Sequence, residues 1–168
     1  RTTINCRDVL GTGDDASHDF SARVESLNGQ PIVAERPMYF NYHGAWAGGH
    51  DVIGASSPSR AFYFAEGCAR PGFHTYFCIQ NPEDQAAEVK ITYMKGDGTT
   101  SEQNLQVKSH SRSTVACHDF LGTSDDTSHD FSARVECTNG QRIVAERPTY
   151  FNYRGVWAGG HNVMGYQE

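Results

Sequence analysis

The sequence has no long apolar run and no concentration of positive charge. Its apolar stretches, such as Phe62-Tyr63-Phe64-Ala65, are far shorter than the ~20 residues that a membrane-spanning helix needs. The 14 lysines and arginines are scattered singly and the net charge is −6, so no basic stripe is available to follow a phosphate backbone. We therefore predict no membrane span and no nucleic-acid partner.

The motifs of common enzyme classes are also missing. The sequence has no Gly-x-Ser-x-Gly elbow, no His-Glu-x-x-His motif and no Cys-x-x-Cys pair. A Ser-His-Asp tripeptide occurs twice, at residues 17–19 and 128–130. Neighbouring strand residues point to opposite faces, so three in a row do not form a catalytic relay. We predict that the chain is not an enzyme and has no cofactor.

What the sequence does contain is a long internal repeat. Residues 1–54 (the N-terminal copy) align without a gap to residues 112–165 (the C-terminal copy), at an offset of 111 residues and with 39 identities. Residues from about 56 to 111 have no second copy. The chain therefore consists of one and a half repeat units, each about the size of an immunoglobulin-like sandwich.

The complete unit, residues 58–168, contains short runs with period-two alternation that are separated by turn residues. Seven strands are predicted, over residues 61–66, 73–80, 87–94, 101–107, 113–119, 130–137 and 142–153. The segment 155–165 is too rich in glycine for either periodicity and is interpreted as an ordered loop. The predicted fold is all-β, with immunoglobulin-like β-sandwich repeats, and residues 1–57 are the last three strands of an incomplete repeat.

Several segments carry a resemblance to a known class of repeats. They are Phe64-Ala-Glu-Gly67, Ile79-Gln-Asn-Pro82, Ser111-Arg-Ser-Thr-Val115 and Ile143-Val-Ala-Glu-Arg-Pro-Thr-Tyr-Phe151. Together they resemble the tandem β-sandwich repeats of long secreted or cell-surface bacterial proteins. The resemblance implies an exported, multi-copy architecture at the cell surface or outside the cell, and it brings no catalytic residues with it.

Acidic residues cluster in one loop of each copy. The candidate calcium ligands are Asp14, Asp15, Asp19, Asp125, Asp126 and Asp130. Their spacing is not that of a calcium-binding loop, and aspartates in turns commonly accept hydrogen bonds from nearby backbone amides. A capped, solvated turn without a metal is therefore the favoured interpretation.

Five cysteines in a strand-rich chain favour an oxidising compartment. Cys68 and Cys78 flank a turn, while Cys117 and Cys137 fall on consecutive predicted strands, so each pair is predicted to form a disulfide between adjacent strands. Cys6 is left over and is expected near a junction between repeats.

Charges also lie inside an otherwise apolar predicted strand, as Glu35-Arg36-Pro37 and Glu146-Arg147-Pro148. They either pair internally or present a polar row to a neighbouring copy. Because proline cannot donate to a β-ladder, the strand is expected at a sheet edge or with a bulge.

Four predicted strands precede the C-terminal copy, and we call this segment, residues 58–111, the first half. The N-terminal copy has no such segment before it. Its apolar face is therefore predicted to be buried against residues 61–107 of a neighbouring chain or a preceding repeat. The predicted interface residues are Cys6, Phe20, Ala22, Val24, Ile32, Ala34, Trp46 and Trp157. The two tryptophans are candidates for repeat contacts or for stacking on a sugar.

These patterns favour a structural or adhesive extracellular repeat protein that associates with copies of itself head to tail, in a filament or a surface stalk. The alternative is a carbohydrate-binding module that recognises a surface glycan, or an accessory domain of a secreted hydrolase.

Overall fold

The computed structural model describes residues 1–167, and its regular structure is almost entirely β. The strands are β1 (Glu35–Tyr42), β2 (Trp46–Ile53), β3 (Ala61–Cys68), β4 (Phe73–Asn81), β5 (Ala87–Lys95), β6 (Thr100–Val107), β7 (Ser111–Ala116), β8 (Asp130–Cys137), β9 (Val144–Tyr153), β10 (Trp157–Met164) and β11 (Tyr166–Gln167). The helices are short: α1 (Cys6–Leu10), α2 (Cys117–Leu121) and two 3-10 turns, Ala16–His18 and Thr127–His129. Among the described residues, no helix is long and apolar enough to cross a membrane.

Two antiparallel sheets form the body of the protein. A four-stranded sheet has the order β10-β9-β4-β7, and a five-stranded sheet has the order β11-β3-β8-β5-β6. The prediction of an all-β fold is confirmed, and both sheets are antiparallel. Both sheets are built from residues that follow position 60, so the complete unit supplies the entire body.

The core lies between the inward faces of these two sheets. The period-two alternation of side chains along each strand determines which residues enter the core. In β5, for example, Val89, Ile91 and Tyr93 are buried, while the residues between them are more exposed. The apolar core residues from both sheets include Phe62, Phe64, Phe77, Ile79, Val89, Ile91, Tyr93, Val107, Phe131, Ala133, Val135, Ile143 and Ala145.

A bulge in β3 shapes one end of the core. The register between β3 and β8 shifts between Phe64 and Gly67. A Cβ atom on Gly67 would lie 2.1 Å from the ring of Phe131, so only glycine fits there. The bulge leaves Glu66 at the surface, within 3.6 Å of Arg147 of β9.

The N-terminal copy is organised differently. Its strands β1 and β2 form a separate two-stranded sheet, while residues 19–34 contain no strand. The hairpin closes through His43 and Gly44, which both have positive φ (52° and 70°). This β1–β2 hairpin packs against the C-terminal copy, where Gly48 approaches the Cα atom of Gly159.

Two details of the predicted strands are wrong. Residues 117–119 start helix α2 instead of continuing β7, and the glycine-rich segment taken for a loop is strand β10. The glycines of β10 allow close packing, since a Cβ atom on Gly160 would lie 2.7 Å from the ring of Phe40. A hairpin partner, β9, satisfies the backbone of β10 along its whole length.

The expected edge position of β9 is also wrong, because β9 lies between β10 and β4. The ladder between β4 and β9 is interrupted at Arg147 and Pro148, with paired residues on either side and no shift of register. The missing donor of the proline is thus accommodated by a local gap in the ladder.

Candidate functional site

An open cleft of about 280 Å³ lies at one end of the complete sandwich. It is formed by β3, β4, β9 and β10, and its lining residues are Glu66, Cys68, Phe73, Arg147, Thr149, Phe151, Tyr153, Trp157 and His161. We call it the aromatic cleft. Its walls are mainly rings, and a single buried cation lies among the polar lining groups.

That cation is Arg147, which is only 4% exposed. Its Nη1 donates to Thr149 Oγ1 at 3.2 Å, and its Nη2 lies 3.6 Å from Glu66 Oε2. Within the described residues, its Nε has no hydrogen-bond partner. Burial lowers the pKa of Arg147. A buried guanidinium with one distant counter-charge and one unpaired donor is expensive to desolvate, so an additional anion there would be stabilising.

The aromatic wall of the cleft is built by two stacked pairs. Tyr153 and Trp157 stack with ring centroids 5.8 Å apart and planes 15° apart, and Phe73 stacks on Phe151 at 6.1 Å. Trp157 is 58% exposed. The β9–β10 hairpin places Tyr153 opposite Trp157 in register, so the pair forms a flat apolar surface at the open side of the cleft.

His161 completes the lining and is half-buried. Burial lowers the pKa of His161 and the positive charge of Arg147 lowers it further, whereas Glu66 acts in the opposite direction. The imidazole is therefore neutral at neutral pH, which makes it a hydrogen-bonding group of the cleft rather than a second cation.

The second notable feature is the contact between the β1–β2 hairpin and the outer face of the four-stranded sheet. The Tyr42 hydroxyl lies 2.8 Å from His74 Nδ1 and 2.5 Å from the Tyr76 hydroxyl. Its ring stacks on Tyr150 at 4.5 Å with planes 3° apart, and Trp46 packs edge-on against His74. This contact has the mixed aromatic and polar character of a protein interface.

An ion pair also crosses this contact. Arg36 Nη2 donates to Glu146 Oε2 at 2.8 Å, and Asn162 Nδ2 donates to the same oxygen at 2.7 Å. The charges of the two Glu-Arg-Pro segments were expected either to pair internally or to face a neighbouring copy. Arg36 and Glu146 face each other across the two copies, which is the second arrangement.

The predicted interface residues have different environments. Cys6, Phe20, Ala22, Val24 and Ile32 are exposed, Ala34 is half-buried, Trp46 lies in the hairpin contact and Trp157 lines the cleft. The segment that is predicted to bury these residues, residues 61–107 of another repeat, does not belong to this chain. The predicted interface therefore stays a prediction.

The aspartate loops are held by hydrogen bonds and ion pairs within the protein. Asp15 and Asp126 each cap a 3-10 turn, accepting from the backbone amides of Ser17 (2.8 Å) and Ser128 (2.9 Å). These hydrogen bonds lower the pKa of both carboxyls. Three of the four remaining candidates form ion pairs: Asp125 and Asp130 with Arg70, and Asp19 with Arg112. Asp14 is exposed.

The two predicted disulfides are not formed. Cys68, Cys78, Cys117 and Cys137 are all free thiols, as is the exposed Cys6. The prediction assumed that each pair bridges adjacent strands. However, β3 and β4 belong to different sheets, and Cys117 lies in helix α2 whereas Cys137 ends strand β8. Burial raises the pKa of the Cys117 thiol to about 12. The oxidising compartment stays a prediction.

Sequence reasoning missed the cleft because its lining comes from four strands in two sheets. The signal that pointed to it was Arg147, a charge inside an apolar strand, together with the nearby Trp157.

Comparison with known proteins supports the fold and nothing more specific. No family model and no curated protein matches the chain. The chain is similar to the crystal structure of Thermotoga maritima 1070, with 19% identity, a TM-score of 0.57 and coverage of 67% of this chain and 97% of the other. It is also similar to the Anabaena sensory rhodopsin transducer, with 22% identity, a TM-score of 0.46 and coverage of 56% and 91%.

Proposed function

We propose that the chain is a structural or adhesive module of a tandem-repeat assembly, in which residues 1–54 complete a sandwich with a first half supplied by another repeat. The observation that carries this proposal is the difference in burial between equivalent apolar residues. Phe20, Val24 and Ile32 are 38%, 63% and 53% exposed. Their counterparts in the C-terminal copy are 4%, 0% and 0% exposed, because the first half covers them.

Exchange of segments between copies of this chain does not cover that face. Each chain carries one first half, residues 58–111, and two copies that need one. A swap replaces one partner by another and leaves one copy per chain uncovered. The partner that we propose is therefore an additional first half, from a preceding repeat or from a neighbouring protein with the same repeat.

In the incomplete copy, the hairpin contact covers a face that an added first half would cover in a completed sandwich, because Arg36 and Tyr42 are the counterparts of the inward-facing Arg147 and Tyr153. Arg36 of one copy binds Glu146 of the next, and Tyr42 contacts the outward face of β4. In the proposed array each unit contacts mainly its neighbour along the chain, which is the arrangement of a quasi-one-dimensional repeat protein. The proposed place of the array is at a cell surface or outside the cell, because tandem β-sandwich repeats of this kind resemble those of exported proteins.

The proposal is tested by duplicating residues 55–111 ahead of Arg1. The new junction, Ser111 to Arg1, reproduces the natural junction Ser111 to Arg112 because the repeat offset is constant. We expect residues 19–26 to form a strand in the duplicated protein and to show amide-exchange protection like that of β8. Solution NMR or hydrogen-exchange mass spectrometry measures this protection residue by residue or peptide by peptide.

The control is the same duplication with Ile91→Asp in the added copy only. That change places a charge in the core face of the added first half, so it should leave residues 19–26 as exchangeable as in the original chain. Two outcomes would contradict the proposal. One is equal protection of residues 19–26 in the duplicated protein and in its Ile91→Asp control, and the other is no gain of protection over the original chain in either protein.

A further inference from the structure

The aromatic cleft is not explained by a structural role. Arg147 is almost fully buried, yet its nearest carboxylate, on Glu66, is 3.6 Å away and belongs to a side chain that is 75% exposed. A guanidinium that serves only to stabilise a fold usually has close, well-aligned acceptors, often two on one carboxylate. In this cleft the Nε of Arg147 donates to nothing among the described residues.

The other copy shows what the same set of residues contacts when it is covered. Arg36, Phe40, Tyr42, Trp46 and His50 are the counterparts of Arg147, Phe151, Tyr153, Trp157 and His161. This equivalent surface is covered by the outer face of the four-stranded sheet, so its contacts can be described directly.

Two groups of the C-terminal copy lie against that equivalent surface. The carboxylate of Glu146 accepts from Arg36 at 2.8 Å. The ring of Tyr150 stacks on Tyr42 and meets Phe40 edge-on at 4.9 Å. Glu146 and Tyr150 lie on the same face of β9, so the covered surface binds a carboxylate and a ring together.

From this correspondence we propose that the aromatic cleft binds a small ring-bearing carboxylate, with the carboxylate on Arg147 and the ring against the stacked pair of Tyr153 and Trp157. The volume of about 280 Å³ lies near the lower limit of small-molecule pockets, ~300–1,000 Å³. It suits a single ring with a short acidic arm. Both aromatic acids and acidic sugars have this chemistry, since each presents a flat face and a carboxylate.

Glu66 has a secondary part in this proposal. Its contact with Arg147 is easily displaced, because the Glu66 side chain is 75% exposed and a separation of 3.6 Å is too long for a hydrogen bond. The arriving carboxylate replaces Glu66 with a shorter, charge-assisted hydrogen bond.

The test is a titration of the full chain with two matched pairs of probes. The first pair is 4-hydroxyphenylacetate and its amide, and the second is glucuronate and glucose. We expect the acid of at least one pair to bind about tenfold more tightly than its neutral analogue, because only the acid forms the charge-assisted bond with the guanidinium. The perturbed signals in an NMR titration should be the indole of Trp157 and the backbone around His161. The pair that shows the difference identifies the ring as aromatic or as a sugar.

Matched variants locate the binding. Trp157→Ala should weaken binding at least tenfold, and Arg147→Lys should remove most of the preference for the acid. The counterparts Trp46→Ala and Arg36→Lys should leave both properties unchanged, because their surface is already covered. Since Trp157 is 58% exposed, its removal tests the site even where Arg147→Lys impairs folding. Equal affinity for the acid and neutral member of both pairs, no binding of any probe, or unchanged binding by Trp157→Ala overturns the proposal.

Discussion

The two copies contain the same seven-residue segment, Asp-Phe-Ser-Ala-Arg-Val-Glu, in two different structures. At residues 130–136 it forms most of β8, and at residues 19–25 it contains no strand. The local sequence is identical, so local propensity does not explain the difference. In the C-terminal copy the segment pairs with β3 on one side and β5 on the other. The strand therefore depends on its neighbours, which only the first half supplies.

The hairpins, in contrast, have the same structure in both copies. Both β1–β2 and β9–β10 form, with equivalent registers in which Tyr42 faces Trp46 and Tyr153 faces Trp157. Each hairpin closes through two residues of positive φ, and its pairing partners are close in sequence. Elements whose contacts are local survive in the incomplete copy, whereas the element that needs distant partners does not.

The largest difference between the copies should be in the loss of stability when the equivalent phenylalanine ring is removed from each copy. Phe131→Ala removes a ring that is 4% exposed and packs against Tyr93. We expect the free energy of unfolding to fall by ~3–5 kcal/mol. Phe20→Ala removes its counterpart, which is 38% exposed, and should change stability by less than ~1 kcal/mol.

Urea denaturation followed by circular dichroism measures both values. The Phe20→Ala protein is the matched control for Phe131→Ala, because the flanking residues are the same. A loss of several kcal/mol on Phe20→Ala would show that residues 19–34 are buried in solution, and the contrast between the copies would disappear.

A smaller effect should distinguish the two hairpin tyrosines. Tyr42→Phe removes the hydroxyl that contacts both His74 and Tyr76 across the docked hairpin. It should destabilise docking of β1–β2 by ~1 kcal/mol, since partly buried partners are left without their hydrogen bond. Tyr153→Phe, at a residue that is 41% exposed, should have little effect.

Amide exchange in β2, measured against exchange in β5 of the same molecule, reports this docking. An increase of about fivefold in β2 alone is expected for Tyr42→Phe. Equal changes for both variants would mean that the hydroxyl of Tyr42 has no special part in holding the hairpin.

The sequence predicted the features that follow from alternation and from the repeat. The all-β fold and the incomplete N-terminal copy were visible in it, because alternation and self-similarity are properties of the chain itself. The pairing of Cys68 with Cys78 was wrong because sequence order does not reveal which consecutive strands change sheets. The aromatic cleft and the Arg36–Glu146 contact were also beyond reach, since each joins residues that only the folded sheets bring together.

The smallest effect that we expect is a pH dependence of hairpin docking. Burial lowers the pKa of His50, and the positive charge of Arg36 lowers it further. Burial also lowers the pKa of His74, with a further contribution from His118. Both histidines lie in the hairpin contact, so undocking returns them towards the ordinary value of about 6.5. As the pH falls below that value, the undocked state binds more protons than the docked state, and docking weakens until the pH passes below the lowered pKa values. Above about pH 7 no further change is expected.

The Trp46 indole signal in NMR spectra reports this docking. As the pH is lowered from 7.5 to 5, the signal should shift towards that of an exposed indole. His50→Gln with His74→Gln should flatten the response, because neither glutamine titrates. A response of unchanged size in that double variant would assign the pH dependence to other groups and separate it from the docking of the N-terminal copy.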